Sequence, residues 1–324
     1  VREYIEQFRA AIRNAGISPP EVVEADGKLH RFSSNGKRGD DAGWYVFHAD
    51  GVPAGAFGDW RSGISRIWRA EIGRRLSPQE EAAHRRRIEA MRRKREAEEA
   101  KRMAEARERA AAIWQSALPA ANDHPYLIRK RIRAHCVRLH EGALVVPMRD
   151  ATSKLWSLQF IGADGQKRFL KGGRVSGCYF AIGEPKGTLC IAEGFATGAS
   201  INETTGHAVA VAFTSGNLLP VARALKIRFP GLRLILCADD DIMTAGNPGL
   251  SKAREAAQEV GGLLAVPDFG ARRPEGATDF NDLRRHAGPA AVRACIEAAV
   301  PAPCWPSPRR PSPCSTGAAR PIKG

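Results

Sequence analysis

From about residue 187 to residue 300 short apolar runs alternate with helix-forming stretches, and this alternation constrains the fold more than any other feature. The runs TLCIAEG, HAVAVAF, RLILCADDD and LLAVPDF are separated by helical stretches at 195–206, 218–229 and 249–261. Such β-α alternation implies a parallel sheet with right-handed crossovers, hence an α/β unit with a short sheet flanked by helices.

One of these strands ends in acid: LILCADDD closes on three aspartates. Side chains alternate along a strand, so Asp239 and Asp241 project to one side and Asp240 to the other. Two carboxylates converging at a strand end repel each other unless a cation lies between them. Mg²⁺ suits such a pair, because it takes one or two carboxylates and keeps several waters. Alone, the pair reads equally as a solvated turn that caps a helix. A second element, TLCIAEGFATGAS, puts Glu193 where an earlier strand gives way to a helix. Open α/β sheets build sites outside the carboxyl ends of their strands, where the strand order reverses. With the order 2-1-3-4, Glu193 faces Asp239 and Asp241 across that crevice. Gly194 and Gly198 fit a tight turn that lets a phosphate approach, or plain turn chemistry.

The charge balance narrows the choice of partner. Fifty Lys and Arg stand against 35 Asp and Glu, a net charge of +15. That excess attracts polyanions, of which a nucleic-acid backbone is the commonest. No apolar run approaches the length needed to span a bilayer. The first residues, VREYIEQFRAAIRNAG, are a charged amphipathic stretch rather than a signal peptide. Seven scattered cysteines form no C-x-x-C pair, which argues against a zinc ribbon and against a disulfide framework. Cys190 and Cys237 lie in apolar runs and read as core residues, and a reducing cytoplasm is the expected setting. HCVRLH matches no standard metal spacing and reads as structural.

Upstream of the α/β unit three further regions are expected. Residues 1–63 form a small strand-rich module with a helix at its start, from DGKLHRF, GWYVFHADG and VPAGAFGDW. Its aromatics Trp44, Tyr45, Phe47, Phe57 and Trp60 read as a core, with a base-stacking surface as the alternative. Residues 64–118 lack glycine after Gly73 and proline after Pro78 and are rich in Ala, Glu, Arg and Lys. They are expected to form one long charged helix, an exposed spacer. Residues 119–186 are an α+β subdomain, with ALVVPMRD, KLWSLQFIGADG, KRFLKGG and GCYFAIG as strand-like runs. Beyond the 187–300 unit and its C-terminal helix, the tail 301–324 is Pro/Ser/Arg-rich and expected to be disordered.

Taken together, AEGFATGASI, VAFTSGNL, ADDD, GNPG and TDFNDL resemble the Toprim region of conjugative-plasmid and phage-type primases. The segment VPMRD to GCYFAIG is similar to what those proteins place just before Toprim, and the N-terminal module is similar as well. The resemblance covers most of residues 20–300. It implies that Glu193 acts in acid–base catalysis or on metal, and that Asp239 and Asp241 bind Mg²⁺ or Mn²⁺. Asp279 is implied as a further metal-site acid; Asp282 is either a second such acid or a helix cap. The implied activity is DNA priming, the synthesis of short RNA primers from NTPs on single-stranded DNA. Related chains often continue into a helicase domain. A replicative helicase is therefore an expected partner, and the low-complexity tail an expected point of truncation. One departure stands out: without a Cys/His ribbon, template recognition must come from elsewhere.

The chemistry also asks for cations across the cleft from the carboxylates, to hold phosphates. Lys167, Arg168, Lys171 and Arg174 are the candidates, then Arg149 and Lys154; a solvated charged hairpin is the alternative. Topoisomerase chemistry lacks a tyrosine in a suitable context, and no G-x-x-x-x-G-K-[ST] loop is present for an ATP-driven motor. A Toprim nuclease and a non-catalytic DNA-binding or helicase-loading module remain as rival readings.

Overall fold

The computed structural model describes residues 2–49, 51–60, 62–71 and 77–302, and the chain divides into two units, Val1–Glu99 and Ala100–Gly324. In the first, amphipathic α1 (Arg2–Asn14) lays Phe8 and Ile12 on an antiparallel sheet. The strands are β1 (His30–Phe32), β2 (Gly43–His48), β3 (Ala54–Asp59) and β4 (Ile64–Arg69), in that order. Alternation puts Tyr45, Phe47 and Phe57 on the face that meets Phe8, whose ring lies 5.0 Å from Phe47 and 5.6 Å from Phe57. These aromatics form the core. Trp44 is also buried, whereas Trp60 stays 42% exposed with Arg31 over its ring.

Residues 64–69 therefore correct the expected 64–118 helix. They form β4, pairing Ile67 with Ala56 and Trp68 with Gly55. The absence of Gly and Pro removes helix breakers but does not specify a helix. ISRIWR is rich in β-branched and aromatic residues that fit a pleated surface, and Trp68 stacks edge-on against Phe8 at 5.1 Å. The helix, α2, runs from Pro78 to Ser116. Its last turns are not an exposed spacer: Ala106 and Ala110 are fully buried.

The second unit opens with an antiparallel meander of β5 (Leu118–Pro119), β6 (Arg138–His140), β7 (Ala143–Arg149), β8 (Leu155–Ile161) and β9 (Lys167–Phe169), with α3 (Pro125–Lys130) between its first two strands. Next come β10 (Phe180–Ile182), β11 (Thr188–Ala192), α4 (Phe195–Thr205), β12 (Ala208–Val211), α5 (Leu218–Arg228) and β13 (Arg233–Cys237). The unit ends with α6 (Pro248–Val260), β14 (Leu263–Ala265), α7 (Phe280–Glu297) and β15 (Val300–Pro301).

These strands form a six-stranded sheet in the order β10-β12-β11-β13-β14-β15. The inner four are parallel, and β10 and β15 are antiparallel edges. The inner strands realise the expected 2-1-3-4 order. Each is buried on both faces: Cys190, Val209, Ile235 and Cys237 meet α4 and α7, while Leu189, Ala210, Leu234 and Leu236 meet α5 and α6. Leu144, Val146, Met148 and Ile161 of the meander join the first of these cores. The 119–186 and 187–300 segments thus share one core, and the sheet starts at Phe180 rather than at 187. At the far end Pro301 pairs with Leu263, while the expected disordered tail from 303 onward lies outside the described residues. No helix among the described residues is long and apolar enough to cross a membrane.

Candidate active site

Pairing of β11 with β13 sets Ala192 opposite Cys237, so Glu193 and Asp239 leave neighbouring strands at the same sheet edge. This is the crevice where the strand order reverses. Burial raises the pKa of Glu193, and the charge of Asp241 raises it further, while the Ser215 N–H and Lys167 pull it down. Asp239 is pushed well above the usual carboxylate range, first by burial and then by Asp279, Glu193 and Asp241. Its Oδ1 is buried with no hydrogen-bond partner. A buried polar atom without a partner costs about 1–3 kcal/mol, and more when charged. Among the described residues no three of these carboxylates bring ligand oxygens within 4.8 Å of one another. The arrangement suits an ion held by a pair of carboxylates with water filling the remaining positions.

The GNPG motif shapes the wall beside Asp239. Asn247, at φ 40°, caps α6, with Pro248 at the first helical position. The Asn247 Oδ1 accepts from the Asp241 N–H at 2.9 Å, and its Nδ2 donates to Asp240 Oδ1 at 2.7 Å. A side chain at Gly249 would place Cβ 2.5 Å from the Asp239 carbonyl, so only glycine lets α6 start here.

Asp240 points away from the cluster, but it is not idle. Arg273 donates to its Oδ2 and to its carbonyl, both at 2.5 Å. Asp279 and Asp282 also have defined roles. Asp279 is the N-cap of α7: its Oδ1 accepts from the Asp282 N–H at 2.8 Å and its Oδ2 from Thr197 Oγ1 at 3.0 Å. The capping role considered for Asp282 thus falls to Asp279. Each Asp279 oxygen thus accepts one hydrogen bond, and its charge acts on Asp239 across the crevice. Asp282 instead accepts from the Thr278 N–H and pairs with Lys130 and Arg285. Gly194 caps α4, whereas Gly198 serves packing: a Cβ there would lie 2.7 Å from Val211.

The basic candidates separate into different places. Lys167 is the one whose charge acts on both Glu193 and Asp239, and its Nζ lies 3.7 Å from where a Gly194 Cβ would stand. Phe169, on the same face of β9, meets Phe213 edge-on at 6.3 Å. Arg168 projects the other way, its guanidinium 5.0 Å from the Phe160 ring. Lys171 is exposed on the loop that follows. Lys154 and Arg174 lie against Trp156, and Arg149 against Trp114. The six residues are therefore not one phosphate cluster.

Sequence reasoning missed several anchoring groups. Buried Asn217 bonds Gly177 N–H, the Cys178 carbonyl and the Ala212 carbonyl, tying the segment before β10 to the loop after β12. Asn281 donates to the Lys130 carbonyl and Ser200 Oγ. Glu203 accepts from His135 at 2.7 Å, Arg133 N–H at 2.8 Å and Arg284 at 2.8 Å. The motifs VAFTSGNL and TDFNDL contain two of these residues, but only tertiary structure reveals their partners.

Comparison with known proteins agrees with this geometry. The family model of the Toprim domain matches residues 188–290. Two Escherichia coli proteins, each named DNA primase TraC, are 37% identical over 280 residues and 36% identical over 282. Each alignment covers 82% of this chain but only 26% and 19% of the respective relative, so the chain spans about a quarter or less of their length. The primase fragment of the bacteriophage T7 primase-helicase is 15% identical, with a TM-score of 0.39 over 52% of this chain and 73% of that one, a likeness too low to add to the assignment. Residues 188–290 thus form a Toprim domain, in a chain that is similar over 82% of its length to part of two plasmid-type DNA primases.

Proposed function

We propose that this chain carries the nucleotidyl-transfer centre of a DNA primase, making short RNA primers from NTPs on single-stranded DNA with Mg²⁺ or Mn²⁺. The observation that carries this reading is the buried Asp239 Oδ1, without a partner and surrounded by the charges of Glu193, Asp241 and Asp279. A protein does not keep such an arrangement for stability. Asp239 and Asp241 would hold a divalent cation, which when bound stabilises the charge that develops on the attacking and leaving oxygens.

In the reaction the 3′-oxygen of one nucleotide bonds to the α-phosphorus of the next, and the α–β phosphoanhydride bond breaks to release pyrophosphate. Glu193, its proton affinity raised by its surroundings, receives the hydroxyl proton. Lys167 reaches the same pocket from β9 and holds phosphate oxygens. The identities to the two E. coli primases support the same reading, as does the net charge of +15. Cytoplasmic action and a replicative helicase as partner belong to this proposal.

The test is incorporation of labelled NTPs on unprimed single-stranded DNA with Mg²⁺. RNA oligomers that need both template and metal are the expected product. Metal-dependent DNA cleavage without NTPs would replace the proposal with a Toprim nuclease. Template binding with neither reaction would leave a non-catalytic DNA-binding or helicase-loading module.

A further inference from the structure

We propose that Thr197 is a positioning residue of the acidic crevice: its hydroxyl fixes the direction in which the Asp279 carboxylate faces Asp239, and so sets how tightly the crevice takes its divalent cation. The inference rests on the proposed function only in placing that cation at Asp239 and Asp241.

A threonine inside a helix ordinarily turns its hydroxyl back to the carbonyl three or four positions earlier. Thr205, at the other end of α4, does this and donates to the Ile201 carbonyl at 2.7 Å. Thr197 does not. The carbonyl four positions before it, that of Glu193, already accepts from the Phe213 N–H at 2.8 Å. Thr197 Oγ1 instead donates across to α7, to Asp279 Oδ2 at 3.0 Å. The residue is 1% exposed, so the bond is shielded from solvent. Its place in the crevice is marked from the other side as well: a Cβ on Gly194 would stand 3.3 Å from Thr197 Oγ1 and 3.7 Å from Lys167 Nζ. The hydroxyl thus lies between the Glu193–Gly194 turn and Asp279.

Of the charges that act on Asp239, that of Asp279 acts most strongly, ahead of Glu193 and Asp241. A carboxylate offers about four lone-pair sites. On Asp279 the Asp282 N–H takes one at 2.8 Å and Thr197 takes another. Two donors from two helices pin the plane of the group and give its remaining lone pairs a fixed direction. Outer-shell bonds of this kind orient the groups around a cation, and their loss commonly weakens metal binding about 10–100-fold.

The frame around this bond carries further buried links between α4 and α7. Asn281 Nδ2 donates to Ser200 Oγ at 2.9 Å, and Arg284 donates to Glu203 Oε2 at 2.8 Å. Thr197, Ser200 and Glu203 recur every third residue along α4, so one face of that helix meets α7 through polar pairs. The first pair reaches the crevice and the other two lie farther along the helices. Ser200 is therefore an internal control. Without its hydroxyl the same interface loosens, while Asn281 keeps its bond to the Lys130 carbonyl at 2.7 Å.

The experiment measures Mn²⁺ binding to the full chain by loss of the free-ion paramagnetic resonance signal, alongside a thermal melt of each variant. Thr197→Val keeps the shape and removes the donor, and should raise the Mn²⁺ dissociation constant about tenfold or more. Thr197→Ser keeps the hydroxyl and should bind close to wild type. Ser200→Ala should melt earlier with an unchanged dissociation constant. Because Thr197 acts through Asp279, Asp279→Ala and the double variant Thr197→Val/Asp279→Ala should bind Mn²⁺ alike. Should Thr197→Val not fold, Thr197→Ala carries the same comparison. Equal affinity of Thr197→Val and wild type would overturn the proposal. So would an equal loss of affinity in Ser200→Ala, which would mark general loosening, or a wild type that binds no Mn²⁺. A wild type that binds Mn²⁺ and shows the Thr197 effect, yet incorporates no NTP, would defeat the catalytic reading and leave this one standing.

Discussion

At the scale of single residues, Asp239 trades stability for chemistry. Its raised pKa means that the carboxyl is tolerated when neutral and costs stability as pH rises through its folded value. Asp239→Asn removes that charge and should raise the melting temperature of the metal-free protein near neutral pH, by about 1–3 kcal/mol in stability. The mutant's advantage should shrink as pH falls into the ordinary carboxylate range. Adding Mg²⁺ should raise the melting temperature of the wild type and leave Asp239→Asn unmoved. Thermal melts with and without metal across pH check all three statements. Asp240→Asn behaves oppositely. It breaks the pairing with Arg273, so it should cost about 1.5–3 kcal/mol while the Mg²⁺ response survives. Strand alternation alone separated Asp240 from Asp239 and Asp241. It could not reveal Arg273, which reaches Asp240 from 33 positions downstream.

At the scale of elements, local pattern succeeded where one period dominates and failed where tertiary contacts decide. The parallel strands were legible because each is a short apolar run buried on both faces. β4 was not, since nothing in ISRIWR announces the Phe8 ring that Trp68 covers. The junction of α4, α7 and the residues before β6 was equally hidden, because Glu203, His135 and Arg284 are far apart in the chain. Those bonds hold the Glu203 carboxyl at about 2, below the usual range, although burial opposes them. A depressed carboxylate contributes stability that is present above its unfolded pKa and lost as pH falls toward the folded value. Glu203→Gln should therefore destabilise the protein by about 1–3 kcal/mol at neutral pH, and the gap to wild type should close between about pH 4.5 and pH 2. Denaturation curves across that window provide the check; a gap that stayed constant would remove the ionic contribution.

At the scale of the molecule, the two segments of the second unit act as one body. The meander residues Leu144, Val146, Met148 and Ile161 lie in the same core as α4 and α7, and Asn217 ties the two segments by hydrogen bonds. A fragment covering residues 100–302 should unfold in a single cooperative transition. One starting at residue 187 should not fold stably, since it loses part of its core and the edge strand β10. Calorimetry of the two fragments decides the matter. This unity also has a functional side, because Lys167 enters the acidic crevice from the meander while the carboxylates come from the Toprim sheet. The most direct test of the whole account compares Asp239→Asn/Asp241→Asn with wild type for primer synthesis on single-stranded DNA and for binding the same DNA. The account predicts that synthesis falls to background at every Mg²⁺ concentration while binding is retained or slightly tightened, as two negative charges leave a basic chain. Undiminished synthesis by the double variant would contradict it.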